Sequence, residues 1–366
     1  MPSGGLGARF SRRPRTTSVA LAGAGYIAVV HALAARSAGM TVRAVASAGG
    51  TSARHLAGEL DARRCRPDEL PAGAEVMIVA TPPETHTELA LRGLRAGAKV
   101  LVEKPLATTL ADADRIVAAV DAGNAAQSGG GLDAGSAGPT LRCAENLLHA
   151  PAWRELTRRR PMLGTLNHLS VRTLQPPPDW GHFEGPLRFG GVLFDLGPHP
   201  IALALDAAAE PVVSVRATLS SEREDGADDE AELEMAFASG LHATLQISWR
   251  SPDTAWDLQA SSDTGVLRLE LLPGVSLEHN GEPVAVPEHH EVPDARIEQF
   301  GYVDQLIDLM AAGRGDQDPV GQSAAAARHV LEVICAAYES AGTGGSEVSL
   351  PFRGDRDATP MQLWRG

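Results

Sequence analysis

A glycine fingerprint near the start constrains this chain more than any other feature. Gly23-x-Gly25-x-x-Ala28 stands between a short apolar run, residues 18–22, and an alanine-rich apolar stretch, residues 26–37. The first glycine permits a tight turn from strand to helix. The second lets backbone approach a pyrophosphate, and the small third residue lets the helix pack on the strand. The helix then turns its free N–H groups and positive dipole end toward phosphates. A lone glycine motif is weak, and an ordinary glycine-rich turn is the plain alternative. The strand before it and the helix after it are the context that favours dinucleotide binding. Gly23, Gly25, Tyr26 and Ile27 are therefore candidate cofactor contacts.

The rest of the first half keeps the same rhythm. Strands at 42–46, 75–80 and 99–102 alternate with helices at 51–60, 84–96 and 109–122, and a last strand falls at 140–145. Thr51 or Ser52 offers an N-cap for the second helix. Alternating elements imply a doubly wound parallel sheet with right-handed crossovers, a Rossmann α/β domain over 17–145. The near-continuous apolar strands imply cover on both faces. Residues 123–139, small, polar and glycine-rich, read as a mobile loop.

The second half changes pattern. Strand-like runs at 165–173, 212–219, 230–237, 241–249, 255–261 and 265–271 alternate polar and apolar residues in several places. Such strands suit a large, mostly antiparallel sheet with one covered face. Helices at about 200–208, 296–312 and 322–341 supply the cover, which makes residues 146–345 an α+β domain for substrate binding and oligomerisation. Residues 346–366 read as a C-terminal tail and residues 1–16 as a disordered basic one. Ser11-Arg12-Arg13 faintly resembles a twin-arginine signal, but the apolar run behind it contains the fingerprint, which cleavage would destroy.

A length of 366 residues suits two domains, and 43% hydrophobic residues build a core without staples. A net charge of −14 disfavours nucleic acid as a partner. Cys65, Cys143 and Cys335 form no close pair, so neither a structural metal site nor a disulfide framework is expected, and a reducing, cytoplasmic setting fits. No apolar run reaches the roughly 18 residues needed to span a membrane.

Several residues carry chemistry. An Asp or Glu usually lies about 20 residues beyond the fingerprint and holds the ribose hydroxyls. Here Ser47 stands in that place. Without the carboxylate a 2′-phosphate is not repelled, and Ser47, Thr51 and Arg54 are its candidate contacts. This favours NADP over NAD, although backbone contacts alone would still admit NAD. Thr81 and Pro82 lie in a proline-stiffened loop at the carboxyl end of the third main strand, where open α/β sheets bind ligands, with His86 just beyond. Glu103-Lys104-Pro105 comes directly after the next strand, which aims the lysine into the same crevice; taken alone, a surface lysine before a turn is the better reading. Asp195 and His199 are four apart, but Gly197, Pro198 and Pro200 break a common helix. The segment reads as an ordered bend feeding the helix 200–208. A histidine is the natural base for an alcohol proton, and a capping aspartate with a structural histidine is an equal reading.

Together these segments resemble the Gfo/Idh/MocA family, from about residue 18 to 341. GAGYIA is similar to its nucleotide fingerprint, ATPPETH to its third-strand loop, EKPLA to its signature and GGVLFDLGPH to its GGGxxxDxGxH segment. The resemblance implies reversible alcohol–ketone chemistry by hydride transfer on a sugar, cyclitol or related polyol. It makes Lys104 the catalytic lysine that orients the substrate oxygen and His199 the acid/base. Asp195 becomes the support of substrate and histidine, and Glu103 and Lys104 border the cofactor. It also implies a frequent cis bond before Pro105, and a central helix opening at Glu145-Asn146, which makes Asn146 a candidate substrate contact. A homodimer or homotetramer is implied by resemblance only. In the loop 175–189, Trp180, His182 and Arg188 are candidate sugar contacts, and a rigid proline-rich surface loop is an equal reading. Arg158-Arg159-Arg160 reads as a solvated helix end. Three departures bear on substrate and cofactor choice: Ala202 where the family often has aspartate, Phe189 in place of the first glycine, and Ser47. The rivals are an NAD-assisted glycosidase or lyase and a non-catalytic dinucleotide-binding regulator; Lys104 and His199 favour an enzyme.

Overall fold

The computed structural model describes residues 16–129, 140–179, 187–287, 290–312 and 323–366. Most of the basic N-terminal tail, the segment 130–139, and Trp180 and His182 lie outside the described residues.

The first half runs β1 (Ser18–Ala22), α1 (Tyr26–Ser37), β2 (Thr41–Ala46), α2 (Gly50–Glu59), β3 (Arg63–Cys65), β4 (Val76–Val79), α3 (His86–Arg95), β5 (Lys99–Val102), α4 (Leu110–Gly129) and β6 (Leu141–Cys143). All six strands are parallel, in the order β3-β2-β1-β4-β5-β6. That is the order of dinucleotide-binding sheets, in which the crevice opens where the winding reverses, beside β1 and β4. The central strands are sealed on both faces: every residue of β4 is buried.

Two boundaries differ from the sequence reading. Helix α4 continues to Gly129, into the glycine-rich stretch read as a loop from residue 123, because Ala125 and Ala126 sustain helix where the glycines do not yet cluster. Helix α2 starts at Gly50 with Gly49 as its N-cap and no side-chain cap, so neither Thr51 nor Ser52 caps it.

The second half begins with α5 (Pro151–Arg159) and β7 (Leu166–Leu174), then α6 (Val192–Asp195) and α7 (Pro198–Ala208). Next come strands β8 (Val212–Ser220), β9 (Glu230–Phe237), β10 (His242–Ser248), β11 (Ala255–Ser262), β12 (Gly265–Leu272), β13 (Ser276–His279) and β14 (Glu282–Pro283). Helices α8 (Ala295–Gln299), α9 (Tyr302–Ala311) and α10 (Ala324–Gly342), strand β15 (Val348–Ser349) and helix α11 (Pro360–Arg365) complete the chain. The nine-stranded sheet has the order β14-β13-β12-β11-β7-β10-β9-β8-β15. It is antiparallel except where β10 pairs with β7. Its strands alternate buried and exposed residues, as in β9, so one face packs under helices and the other is polar. Helix α10 packs on β8, α7 and α4, and so joins the two sheets.

The helix expected at 296–312 is two helices. Gly301 breaks it in the left-handed region, and a Cβ there would lie 2.4 Å from the His149 carbonyl carbon. Lys99 closes the far end of α9, donating from Nζ to the carbonyls of Leu309, Met310 and Ala312 at 3.1, 3.3 and 2.7 Å.

Residues 346–366 do not form a free tail. Phe352 is buried, Arg356 pairs with Asp114 on α4, and Met361 N donates to Phe189 O at 2.9 Å. The last contact ties the chain end to the segment leading into α6.

Candidate active site

The fingerprint turn is built as close approach demands. Gly23 has φ +114°, and a Cβ there would lie 2.1 Å from the carbonyl oxygen of Ala80. Its N–H donates to Ala46 O at 2.8 Å, so the turn is locked between β2 and β4. At Gly25 a Cβ would meet nothing within 4 Å. That open space lies at the N-cap of α1, where no side chain caps the helix. Uncapped N–H groups beneath an open cradle are what a pyrophosphate requires, so these residues fit a dinucleotide. Tyr26, 61% exposed, stands at the rim, and Ala28 is buried beneath. Gly23→Ala is expected to abolish nicotinamide-nucleotide binding, because the backbone must move to admit the methyl. Fluorescence titration of the folded variant checks this; near wild-type affinity would refute it.

At the neighbouring turn, Ser47 is half-buried at the end of β2, while Thr51 and Arg54 are exposed on α2. A second cation, not singled out in the sequence, lies here. Arg64 of β3 reaches across so that a Cβ on Gly50 would lie 2.8 Å from its Nη2.

Thr81 and Pro82 border the crevice, half-buried and exposed. His86, a candidate cofactor contact, is 1% exposed, and its ring nitrogens both face carbonyls: Nδ1 lies 2.8 Å from Pro105 O and Nε2 2.8 Å from Thr81 O. Burial pushes its pKa below the ordinary value, so the ring is neutral and donates to one carbonyl at a time. It is a tie between two loops. Glu103, also a candidate cofactor contact, is tied in the same way. Buried, it accepts from His31 Nε2 at 2.6 Å and from the backbone N–H of Lys104 at 3.1 Å. Burial alone would raise its carboxyl, but His31, with Lys104 and His86, holds it below the ordinary carboxylate range. Glu103 thus fixes the backbone from which Lys104 projects. The peptide bond between Lys104 and Pro105 is cis.

Lys104 Nζ donates to the Asp195 carbonyl at 2.7 Å and to its Oδ1 at 2.8 Å, joining β5 to the end of α6. Burial would push the lysine toward neutrality. The carboxylate of Asp195, aided by Glu103 and Glu145, prevails and holds it above its ordinary value.

Helices α6 and α7 are separate, so Asp195 and His199 do not share a helix face. The carboxylate expected to support His199 belongs to Lys104 instead. His199 Nδ1 lies 3.0 Å from Oε2 of Glu145, a buried residue just after β6. Trp256 of β11 flanks the imidazole with ring centroids 5.8 Å apart, and Phe300 stacks behind it at 6.5 Å. Asn146, a candidate substrate contact, donates its amide N–H to Phe300 O at 2.8 Å and is 4% exposed. It braces the wall. The chain after it makes a short turn, Asn146–His149, and then α5, where a central helix was expected. Arg188 is exposed. Of the arginine run, Arg158 and Arg159 pair with Glu155, and Arg160 donates to Ala207 O and Ala208 O at the end of α7. No helix among the described residues is long and apolar enough to cross a membrane.

The whole bend is suspended from one buried carboxylate. Asp228 accepts from the N–H groups of Gly191 and Leu193 at 2.7 and 2.8 Å and from the Tyr338 hydroxyl at 2.5 Å. Its carbonyl accepts from Val192 N at 2.7 Å. A Cβ on Gly191 would lie 1.8 Å from that carbonyl oxygen, which explains the glycine.

Comparison with known proteins agrees with this arrangement. Residues 17–128 match the oxidoreductase family with an NAD-binding Rossmann fold, and residues 159–268 match the GFO/IDH/MocA C-terminal domain. A putative UDP-kanosamine synthase oxidoreductase subunit of Amycolatopsis mediterranei is 30% identical over 312 residues, 76% of this chain and 81% of that one. The structure of GenD2 from gentamicin A biosynthesis, in complex with NAD, is 27% identical with TM-score 0.76, covering 94% of this chain and 99% of that one. The WlbA dehydrogenase of Bordetella pertussis, solved with NADH and UDP-GlcNAcA, shares the fold at TM-score 0.72 and 20% identity over 93% of this chain and 99% of that one. The chain belongs to the Gfo/Idh/MocA oxidoreductase family, with an N-terminal NAD-binding Rossmann domain.

Proposed function

We propose that this protein is a dehydrogenase or reductase acting on CH–OH groups. It interconverts an alcohol and a ketone on a sugar, cyclitol or related polyol derivative, with NADP preferred. The observation that carries this is the meeting of a charged lysine and a paired histidine at the carboxyl edge of the parallel sheet. Lys104 comes from one half of the chain and His199 from the other, and the carboxylate of Glu145 acts on both. The UDP-kanosamine synthase relative supports a sugar-derived substrate.

Gly23, Gly25 and the first turn of α1 would hold the pyrophosphate, and Thr81 and Pro82 would border the cofactor. When bound, the nicotinamide accepts or returns a hydride. Lys104 stays charged and stabilises the oxygen of the substrate as it gains negative character. In the oxidative direction His199 takes the hydroxyl proton at Nε2, and in the reductive direction it returns it. Asp195 holds Lys104 in place. The aromatic wall of Trp256 and Phe300 gives the apolar face of a sugar ring a surface to pack on.

The NADP preference rests on residues of this chain, although the GenD2 relative was solved with NAD. Ser47 supplies a hydroxyl in place of a carboxylate, and the Arg64 guanidinium lies over the start of α2. Titration with NADPH and NADH, read by nicotinamide fluorescence, tests the cofactor. Tighter binding of NADPH is expected; preference for NADH would refute the 2′-phosphate reading. A panel of myo-inositol, free hexoses and UDP-hexoses then tests the reaction. Stoichiometric cofactor reduction or oxidation supports it, whereas turnover with no net change in cofactor would point to a transiently oxidising glycosidase or lyase.

A further inference from the structure

We infer that Glu145 is the positioning residue of the proton-transferring histidine, an inference that rests on the role proposed for His199. The side chains are nearly sealed, 9% and 3% exposed, with Nδ1 and Oε2 3.0 Å apart. An ionised carboxylate only accepts, so Nδ1 carries the hydrogen and the neutral ring is left with its lone pair on Nε2. That nitrogen makes no hydrogen bond with the described residues. The family resemblance offers Asp195 for this task, but Asp195 is committed to Lys104.

The pair is built to be rigid. Glu145 N donates to Cys143 O at 2.8 Å, and Glu145 O accepts from Leu148 N at 3.1 Å, which fixes the residue in a turn directly after β6. His199 sits in the first turn of α7, with Trp256 against its ring. The contact crosses from the Rossmann half to the substrate half, so imidazole and cofactor crevice are registered through Glu145. Lys104 lies near enough to feel the Glu145 charge, and the lysine has its own carboxylate in Asp195. In alcohol oxidation the substrate O–H bond breaks as an Nε2–H bond forms, and the carbinol C–H bond breaks as its hydride passes to the oxidised nicotinamide, which is thereby reduced while C–O becomes C=O. The ring becomes imidazolium, and the carboxylate at Nδ1 stabilises that charge as it forms.

The test uses protein labelled with 15N-histidine, holding the better-bound nicotinamide nucleotide, at a pH where His199 is neutral. Long-range 1H–15N correlation reads the tautomer, with His199 assigned by its loss in His199→Gln. The expected wild-type form is Nδ1–H, moving toward Nε2–H in Glu145→Leu. With the most active panel substrate, Glu145→Gln is expected to lower kcat by about 100-fold or more, with KM within about threefold, and Glu145→Asp to recover much of the loss. An Nε2–H tautomer in the wild type overturns the inference. So does full turnover in Glu145→Gln beside an inactive His199→Ala. Full turnover in His199→Ala instead removes the role on which the inference rests. Should Glu145→Leu not fold, the wild-type tautomer and the Gln and Asp variants decide.

Discussion

Lys104→Ala is expected to lower kcat by about 100-fold or more while nicotinamide-nucleotide affinity stays within a few-fold. The reason is charge. The Lys104 ammonium, 16% exposed, contacts both the carbonyl and the carboxylate of Asp195. Burial favours the neutral amine, but Asp195 outweighs it and the lysine is held above its ordinary 10.5. It therefore keeps its proton through the neutral range and serves as a fixed cation, which leaves the proton transfer to His199. Removing the lysine also leaves Asp195 without its cation, so Lys104→Met, which preserves the packing of the stem, separates lost catalysis from lost stability. Steady-state kinetics on both variants, with thermal melting as control, checks this. Turnover within a few-fold of wild type in both would remove Lys104 from the chemistry.

Strands β1, β2, β4 and β5 and their helices were legible because apolar strands of four to six residues and helices of ten or more leave local periodic signatures, whereas β3, three residues long and mostly exposed, leaves none. Lys104 and His199 were legible because each stands beside a proline or glycine that marks the carboxyl edge of a strand or a bend. Their supports were not. His31 meets Glu103 across 72 positions, Glu145 meets His199 across 54, and Asp228 meets Tyr338 across 110. No local spacing encodes such pairs. A buried histidine inside an alanine-rich helix was the one available sign for His31, since an imidazole on an apolar face needs a partner. Strand β15 and helix α11 were missed for the same reason: Val348–Ser349 is too short for a period, and its partner β8 lies far back in the chain. The support of His199 by Asp195 came from the family resemblance, whereas the contact made by its carboxylate is to Lys104.

Asp228→Ala is expected to destabilise the fold by about 3–5 kcal/mol, the cost of leaving buried polar groups without their charged partner. Leu193 N and the Tyr338 hydroxyl lose their acceptor together, and Gly191 N keeps only its longer bond to the Tyr338 hydroxyl at 3.1 Å. The carboxylate has 0% exposure, so water does not readily replace it. Burial raises its carboxyl above the ordinary value, and the Tyr338 hydroxyl and the Gly191 and Leu193 N–H groups oppose this, so it survives inside the protein only with them. Asp228→Asn keeps an acceptor and should lose clearly less stability, although its amide N–H₂ faces N–H groups that also donate. Gly191→Ala attacks the same contact from the other side, since its methyl would enter the Asp228 carbonyl at 1.8 Å. Both changes displace α6, which carries the Asp195 contacts of Lys104, and the start of α7, which carries His199. Chemical denaturation of the Ala and Asn variants gives the stability, and turnover of the surviving folded fraction gives the catalytic effect. A loss below about 1 kcal/mol in Asp228→Ala would mean that the bend is held by packing and not by this carboxylate.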